Sequence, residues 1–213
     1  MIVDERMTSF INSYASPYSQ ALDELERYSI ETNVPIVRKE MQSLIKFLLA
    51  TKSPKNILEV GTAIGFSAVL MAENSPENSM ITTIEKYEKR IPIAKENFEK
   101  FGLLKRVKLL EGDATDILKE LKGPYDFIFM DAAKGQYINF LPDILRLLSK
   151  DGILLTDNVM QEGDILESKY IVERRNRTIY KRMREYLYEL THNDNLTTVI
   201  LPIGDGVTIS IRK

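Results

Sequence analysis

Residues 1–50 carry apolar positions at helical spacing, clearest in Met41–Leu49, with Pro17 and Pro35 as interruptions. After Pro54 the rhythm changes, and short apolar runs alternate with amphipathic stretches. Asn56–Gly61, Met80–Glu85, Val107–Glu111, Tyr125–Asp131 and Gly152–Asp157 read as buried strands. Phe66–Glu73, Glu88–Phe101, Ala114–Leu121 and Tyr137–Leu148 read as the helices between them, the second stopped by Gly102. Strands alternating with helices build a parallel sheet covered on both faces. The tail differs: a long helix near Ile171–Leu190 precedes Leu196–Leu201 and Val207–Ile211, which meet at Gly204-Asp-Gly and read as a hairpin. The expected fold is α/β, a mostly parallel seven-stranded sheet with helices on both faces and a C-terminal antiparallel hairpin.

Composition narrows the class. A chain of 213 residues without repeats or a low-complexity linker suits one domain, 1–213, with residues 1–50 as a helical cap. The net charge of −2 excludes a polyelectrolyte, so any nucleic-acid contact needs a local basic patch. The absence of cysteine excludes disulfides, thiolate metal sites and a Cys nucleophile, and fits a reducing cytoplasm. Met1-Ile-Val-Asp-Glu-Arg opens with charges, so no signal peptide is expected, and no apolar run reaches the ~18 residues of a membrane span.

In a doubly wound sheet, ligands bind beyond the carboxyl ends of the strands. The first predicted strand runs into Gly61 and Gly65, which let backbone approach a ligand, and Ser67, which offers a hydroxyl at a helix start. The spacing is Gly-x-x-x-Gly rather than that of dinucleotide binders. The second strand ends at Glu85, placed to accept from both hydroxyls of a ribose. The third leads to Gly112-Asp113, whose carboxylate suits an adenine amino group. Singly, each has a plain structural reading as a turn or a solvated acid. In order at successive strand ends, they point to S-adenosylmethionine.

The fourth and fifth strands end in Asp131 and in Asp157-Asn158. Two carboxylates and an amide oxygen on adjacent strand ends form a hard donor set, favouring Mg²⁺ over Zn²⁺, with Mn²⁺ or Ca²⁺ as alternatives. The competing reading is a turn and a helix cap. A divalent cation lowers the pKa of a coordinated hydroxyl, and Lys134, three residues after Asp131, is the candidate base.

Glu59-Val-Gly-x-x-x-Gly-x-Ser67, Asp131-x-x-Lys134, Asp157-Asn158 and Leu201-Pro-Ile-Gly-Asp-Gly206 together resemble the cation-dependent O-methyltransferases, which include catechol and caffeoyl-CoA O-methyltransferases. The resemblance runs from about Val34 onward. It implies a Rossmann-like class I methyltransferase fold, metal ligands Asp131, Asp157 and Asn158, and Lys134 as base. It implies cofactor contacts from Val37, Glu59, Gly61, Ser67, Glu85, Asp113, Ala114 and Asp131, and a homodimer with the N-terminal helices near the interface.

One region departs from the plant-type members. Lys169–Arg184 carries seven basic residues against one acid, Glu173, too few acids for ordinary i,i+4 pairing to balance. A solvated helix face is the usual meaning of such a run. It also suits a polyanion, and it resembles the bacterial branch that methylates 5-hydroxyuridine at the tRNA wobble position. On that reading Arg174, Arg175, Arg177, Lys181 and Arg182 face the RNA of the anticodon loop. The alternative acceptor is a small catechol or phenylpropanoid.

Overall fold

The structure is a computed structural model that describes residues 3–213; Met1 and Ile2 of the charged opening lie outside the described residues. Three helices come first: α1 (Glu5–Asn12), α2 (Gln20–Glu31) and α3 (Lys39–Lys52). Asp4 and Ser19 cap the first two by accepting from backbone N–H groups of the opening turn, and the two prolines fall in the links. The alternating part follows as β1 (Asn56–Val60), α4 (Phe66–Glu73), β2 (Met80–Glu85), α5 (Ile91–Lys100), β3 (Val107–Glu111), α6 (Ala114–Glu120), β4 (Tyr125–Met130), α7 (Tyr137–Leu147) and β5 (Leu148–Thr156). Helix α8 (Arg177–His192) and strands β6 (Leu196–Leu201) and β7 (Val207–Arg212) complete it.

All seven strands join one sheet in the order β3-β2-β1-β4-β5-β7-β6. Pairs from β3 to β5 are parallel, and β7 runs antiparallel to both β5 and β6. The expected hairpin is present, with its second strand rather than its first against β5. The chain steps outward from β1 to β3, then returns to place β4 on the other side of β1. That reversal opens a crevice between the carboxyl ends of β1 and β4.

Strand alternation divides the core in two. Ile57, Ile81, Phe127, Phe129, Ile153 and Leu155 pack under α2 to α5, while Leu58, Val60, Ile84, Ile128, Met130 and Leu154 pack under α6 to α8. Central strands buried on both faces are mostly apolar, with Glu59 in β1 an exception, which is why the sequence shows near-continuous runs there.

Three boundaries differ from expectation, the first being strand β5, which begins at Leu148 rather than Gly152. Helix α5 begins at Ile91 rather than Glu88, because Pro92 belongs in a first helical turn. Helix α8 begins at Arg177, not near Ile171, and Arg174–Asn176 form a separate 3-10 turn. Arginines crowding the start of a helix oppose its dipole, and no acid lies in the first turn to offset them. Among the described residues no helix is long and apolar enough to cross a membrane.

Candidate active site

The turn after β1 is stitched to β2: the N–H groups of Gly61 and Thr62 both donate to the Ile84 carbonyl at 3.1 Å. Gly61 has φ +108°, and a Cβ there would lie 2.0 Å from the Asp131 carbonyl oxygen. The first strand turn therefore lies directly against the end of β4. Gly65, at φ +88°, begins α4 over the ring of Phe98.

Above this turn lies a cavity of about 480 Å³, of a size that suits a nucleoside-bearing ligand. Of the expected cofactor contacts, Val37, Gly61, Ser67, Glu85, Asp113, Ala114 and Asp131 line it. Glu85 is held by three backbone donors: Ala63 N–H at 2.7 Å on one oxygen, Lys86 and Tyr87 N–H at 3.0 and 2.8 Å on the other. That fixes its carboxylate at the crevice in one orientation. Asp113 caps α6 through the Thr115 N–H at 2.8 Å and meets Lys86 at 3.4 Å. The Thr115 hydrogen bonds hold its carboxyl below the usual range.

Glu59 departs from expectation, because it does not line the cavity. Alternation turns its side chain to the sheet face under α4. There it is fully buried and accepts from the hydroxyls of Ser67 and Thr83. The Ser67 hydroxyl, expected to face a ligand, thus serves Glu59. Burial pushes the Glu59 carboxyl up to about 7, although the two hydroxyls pull it down.

This has a consequence for stability. The folded chain holds the Glu59 proton more tightly than the unfolded chain does, so stability falls as pH rises from the ordinary carboxylate range through about 7. A shift of that size corresponds to roughly 3 kcal/mol between pH 4.5 and 8, as an upper figure. Glu59→Gln keeps the shape and removes the titration. Its melting temperature should depend less on pH across this window, by thermal unfolding at pH 5 to 8; an unchanged dependence rules out Glu59 as a source of the slope.

The fourth and fifth strand ends meet as expected. Asp131 N–H donates to the Val60 carbonyl at 3.0 Å, and Asp157 N–H to the Met130 carbonyl at 3.1 Å. Asp157 Oδ1 accepts from the Asn158 N–H at 2.7 Å, and Tyr137 donates its hydroxyl to the Asp157 carbonyl at 3.2 Å. Asn158 takes φ +62°, which asparagine tolerates better than most residues. Burial, then the charge of Asp157, pushes Asp131 up to about 7, and burial likewise raises Asp157.

Two buried carboxylates that resist ionising together fit a cation between them. Among the described residues no group of three or more His, Cys, Asp or Glu could hold a metal ion, so a cation here would need the Asn158 amide as a third protein donor. These hard oxygens fit Mg²⁺, Mn²⁺ or Ca²⁺.

Lys134 opens a 3-10 turn, Lys134–Gln136, and pairs at 3.0 Å with Asp205, which also accepts from the Glu162 N–H at 2.6 Å. Asp205 is buried in the β6–β7 loop and was not foreseen as part of the site. The motif Leu201–Gly206 was its only signal, and a hairpin turn explained that motif equally well. Arg38, Gln136 and Phe140 also line the cavity unforeseen.

The basic segment divides. Arg177 donates to the carbonyls of Val172 and Tyr170 at 3.0 and 3.3 Å, and Arg182 to that of Gly135 at 3.0 Å, so both brace the fold. Arg175 and Lys181 form exposed pairs with Glu173 and Glu185. Among the described residues Arg174 has no ion pair. The Arg182 contact packs α8 against the turn that carries Lys134.

The model of the O-methyltransferase family matches residues 12–213. A catechol O-methyltransferase of Niastella koreensis is 38% identical over 117 residues, and the match spans 53% of each chain, about half that relative's length. Caffeoyl-CoA O-methyltransferase 1 of Arabidopsis thaliana is 28% identical over 89% of this chain and 85% of its own. The SAH-bound structure of a Podospora anserina methyltransferase superposes with a TM-score of 0.87 at 30% identity, over 98% of this chain and 94% of that one.

Proposed function

The chain belongs to the O-methyltransferase family and uses S-adenosylmethionine as methyl donor, and from that premise we propose that it methylates the 5-hydroxyl of a wobble uridine in tRNA, aided by a divalent cation, Mg²⁺ first. The cofactor supplies an electrophilic methyl group. Glu85, fixed by three backbone N–H groups, accepts from the ribose hydroxyls, and Gly61 leaves room for the donor beside Asp131. Asp131, Asp157 and Asn158 would hold the cation, which when bound would lower the pKa of a coordinated hydroxyl. Lys134 Nζ, once it has released its own proton to solvent, would take the hydroxyl proton, and Asp205 at 3.0 Å stabilises the ammonium that is restored. Positioning supplies much of the remaining acceleration.

The observation that carries the choice of acceptor is the exposed Arg174 and Arg175, at the start of a segment whose Arg182 packs against the turn that carries Lys134. A 5-hydroxyl next to the C4 carbonyl presents two adjacent oxygens to a metal, as a catechol does. A loop base is splayed out at little cost. The use of Arg177 and Arg182 inside the fold, and the catechol-type relatives, favour the second reading, a soluble catechol acceptor.

Mass spectrometry of tRNA nucleosides from a deletion strain separates the two. Loss of 5-methoxyuridine with build-up of 5-hydroxyuridine is expected, and an unchanged profile sinks the RNA reading. Because Arg174 and Arg175 are the outward arginines, their double replacement by alanine should lower the slope of log K for tRNA against log salt by roughly 1 to 2. A slope equal to that of the wild type would remove them from the RNA contact.

A further inference from the structure

Three cationic side chains line the cavity: Arg38, Lys86 and Arg90. Lys86 and Arg90 belong to the Glu85 end, where Lys86 pairs with Asp113 at 3.4 Å and Arg90 lies over the Tyr87 ring, 5.4 Å from its centre. Arg38 stands apart. It occupies the position before α3 with its side chain exposed. Among the described residues its guanidinium has no hydrogen bond, ion pair or aromatic partner.

Its surroundings belong to the cation end. Arg38 Cδ lies 3.6 Å from where a Cβ on Gly204 would sit, in the loop that carries Asp205. Arg38 and Asp157 both line the same cavity. Glu40 lies on the same side of Gly204, but it accepts from Asn12 Nδ2 at 3.3 Å and makes no ion pair with Arg38. An arginine fork without a partner at the mouth of a cavity matches the oxygens of a phosphate, which it grips through paired charge-assisted hydrogen bonds.

We propose that Arg38 anchors a phosphate group of the methyl acceptor, beside the hydroxyl that is methylated. This deepens the reading of an RNA acceptor and rests on it for the source of the phosphate. A nucleotide then binds in two places at once: its hydroxyl among Asp131, Asp157 and Asn158, its phosphate on Arg38.

The test compares wild type, Arg38→Ala and Arg38→Lys as full chains with the cation present. The acceptors are an anticodon hairpin containing 5-hydroxyuridine and the free 5-hydroxyuridine nucleoside. Arg38→Ala should raise KM for the hairpin by about tenfold or more, the size of one lost charge-assisted contact. Turnover of the nucleoside and SAH affinity by calorimetry should stay unchanged, with Arg38→Lys between the two. Equal losses on hairpin and nucleoside, or no loss on either, would overturn the proposal. So would a comparable loss of SAH affinity, since Arg38 would then serve the donor's carboxylate. If the wild type methylates neither uridine, the RNA reading fails by itself. The same three proteins are then compared on 3,4-dihydroxybenzyl phosphate and its alcohol. A preference for the phosphate that Arg38→Ala abolishes sustains the anchor, and equal rates refute it.

Discussion

Replacing Asp157 by alanine is expected to lower methyl transfer by roughly three orders of magnitude or more, the scale of losing electrostatic stabilisation at a reacting group, while SAH binding stays nearly unchanged. The argument starts from position. Asp157 sits just past β5 and donates its backbone N–H to the Met130 carbonyl of β4, so its position is fixed by the sheet rather than by the methyl donor. Its Oδ1 accepts from the Asn158 N–H and holds the left-handed turn that aims the Asn158 amide. On the proposed assignment, one substitution thus removes one cation donor and loosens another. Glu85, Gly61 and Val37 keep their own anchors, so the donor end survives. Without a cation the variant should be no less stable than the wild type, because a buried carboxylate raised by burial has been removed. Rate assays with added Mg²⁺ and calorimetry with SAH check both halves. Loss of SAH affinity in proportion to rate contradicts the assignment.

Gly61→Ala should abolish cofactor binding for a different reason. The new Cβ would meet backbone, the Asp131 carbonyl oxygen at 2.0 Å and its carbon at 2.9 Å, with no flexible side chain to yield. At φ +108° the residue would also be strained by its own conformation. The turns after β1 and β4 must then part, and Asp131 moves with them. A strain of about 2–3 kcal/mol corresponds to a loss of roughly two orders of magnitude in affinity. Gly102→Ala is the control, because its φ is also positive yet nothing lies within 4 Å of its added Cβ. Calorimetry should show SAH binding lost in the first and kept in the second. Equal affinities would mean that the turn is more pliant than its packing indicates.

Much of this site was legible in the chain because its residues sit at strand ends, where a change from apolar run to glycine or acid is conspicuous. Asp131 and Asp157 follow, and Glu85 closes, a strand whose last positions are buried. Glu59 misled. The family resemblance implied a ligand contact there, but strand alternation turns its side chain into the core. The Lys134–Asp205 pair could not be read at all, since it joins residues 71 apart in sequence. Charge counting overstated the basic segment, because it cannot distinguish an arginine that braces backbone carbonyls from one that faces solvent.

The position of β7 between β5 and β6 sets an order of assembly during synthesis. Strands β1 to β4, which carry the donor end, leave the ribosome first and pair mainly with near neighbours. Strand β5 then waits with one edge open until residues 207–212 arrive, several seconds later at roughly 5–20 residues per second. The edge in waiting includes Ile153, Leu154 and Leu155, an apolar stretch that an unpaired strand elsewhere could join. A nascent chain can thus hold its donor pocket before its cation end is closed. That interval, rather than the finished enzyme, is where chaperone dependence should concentrate.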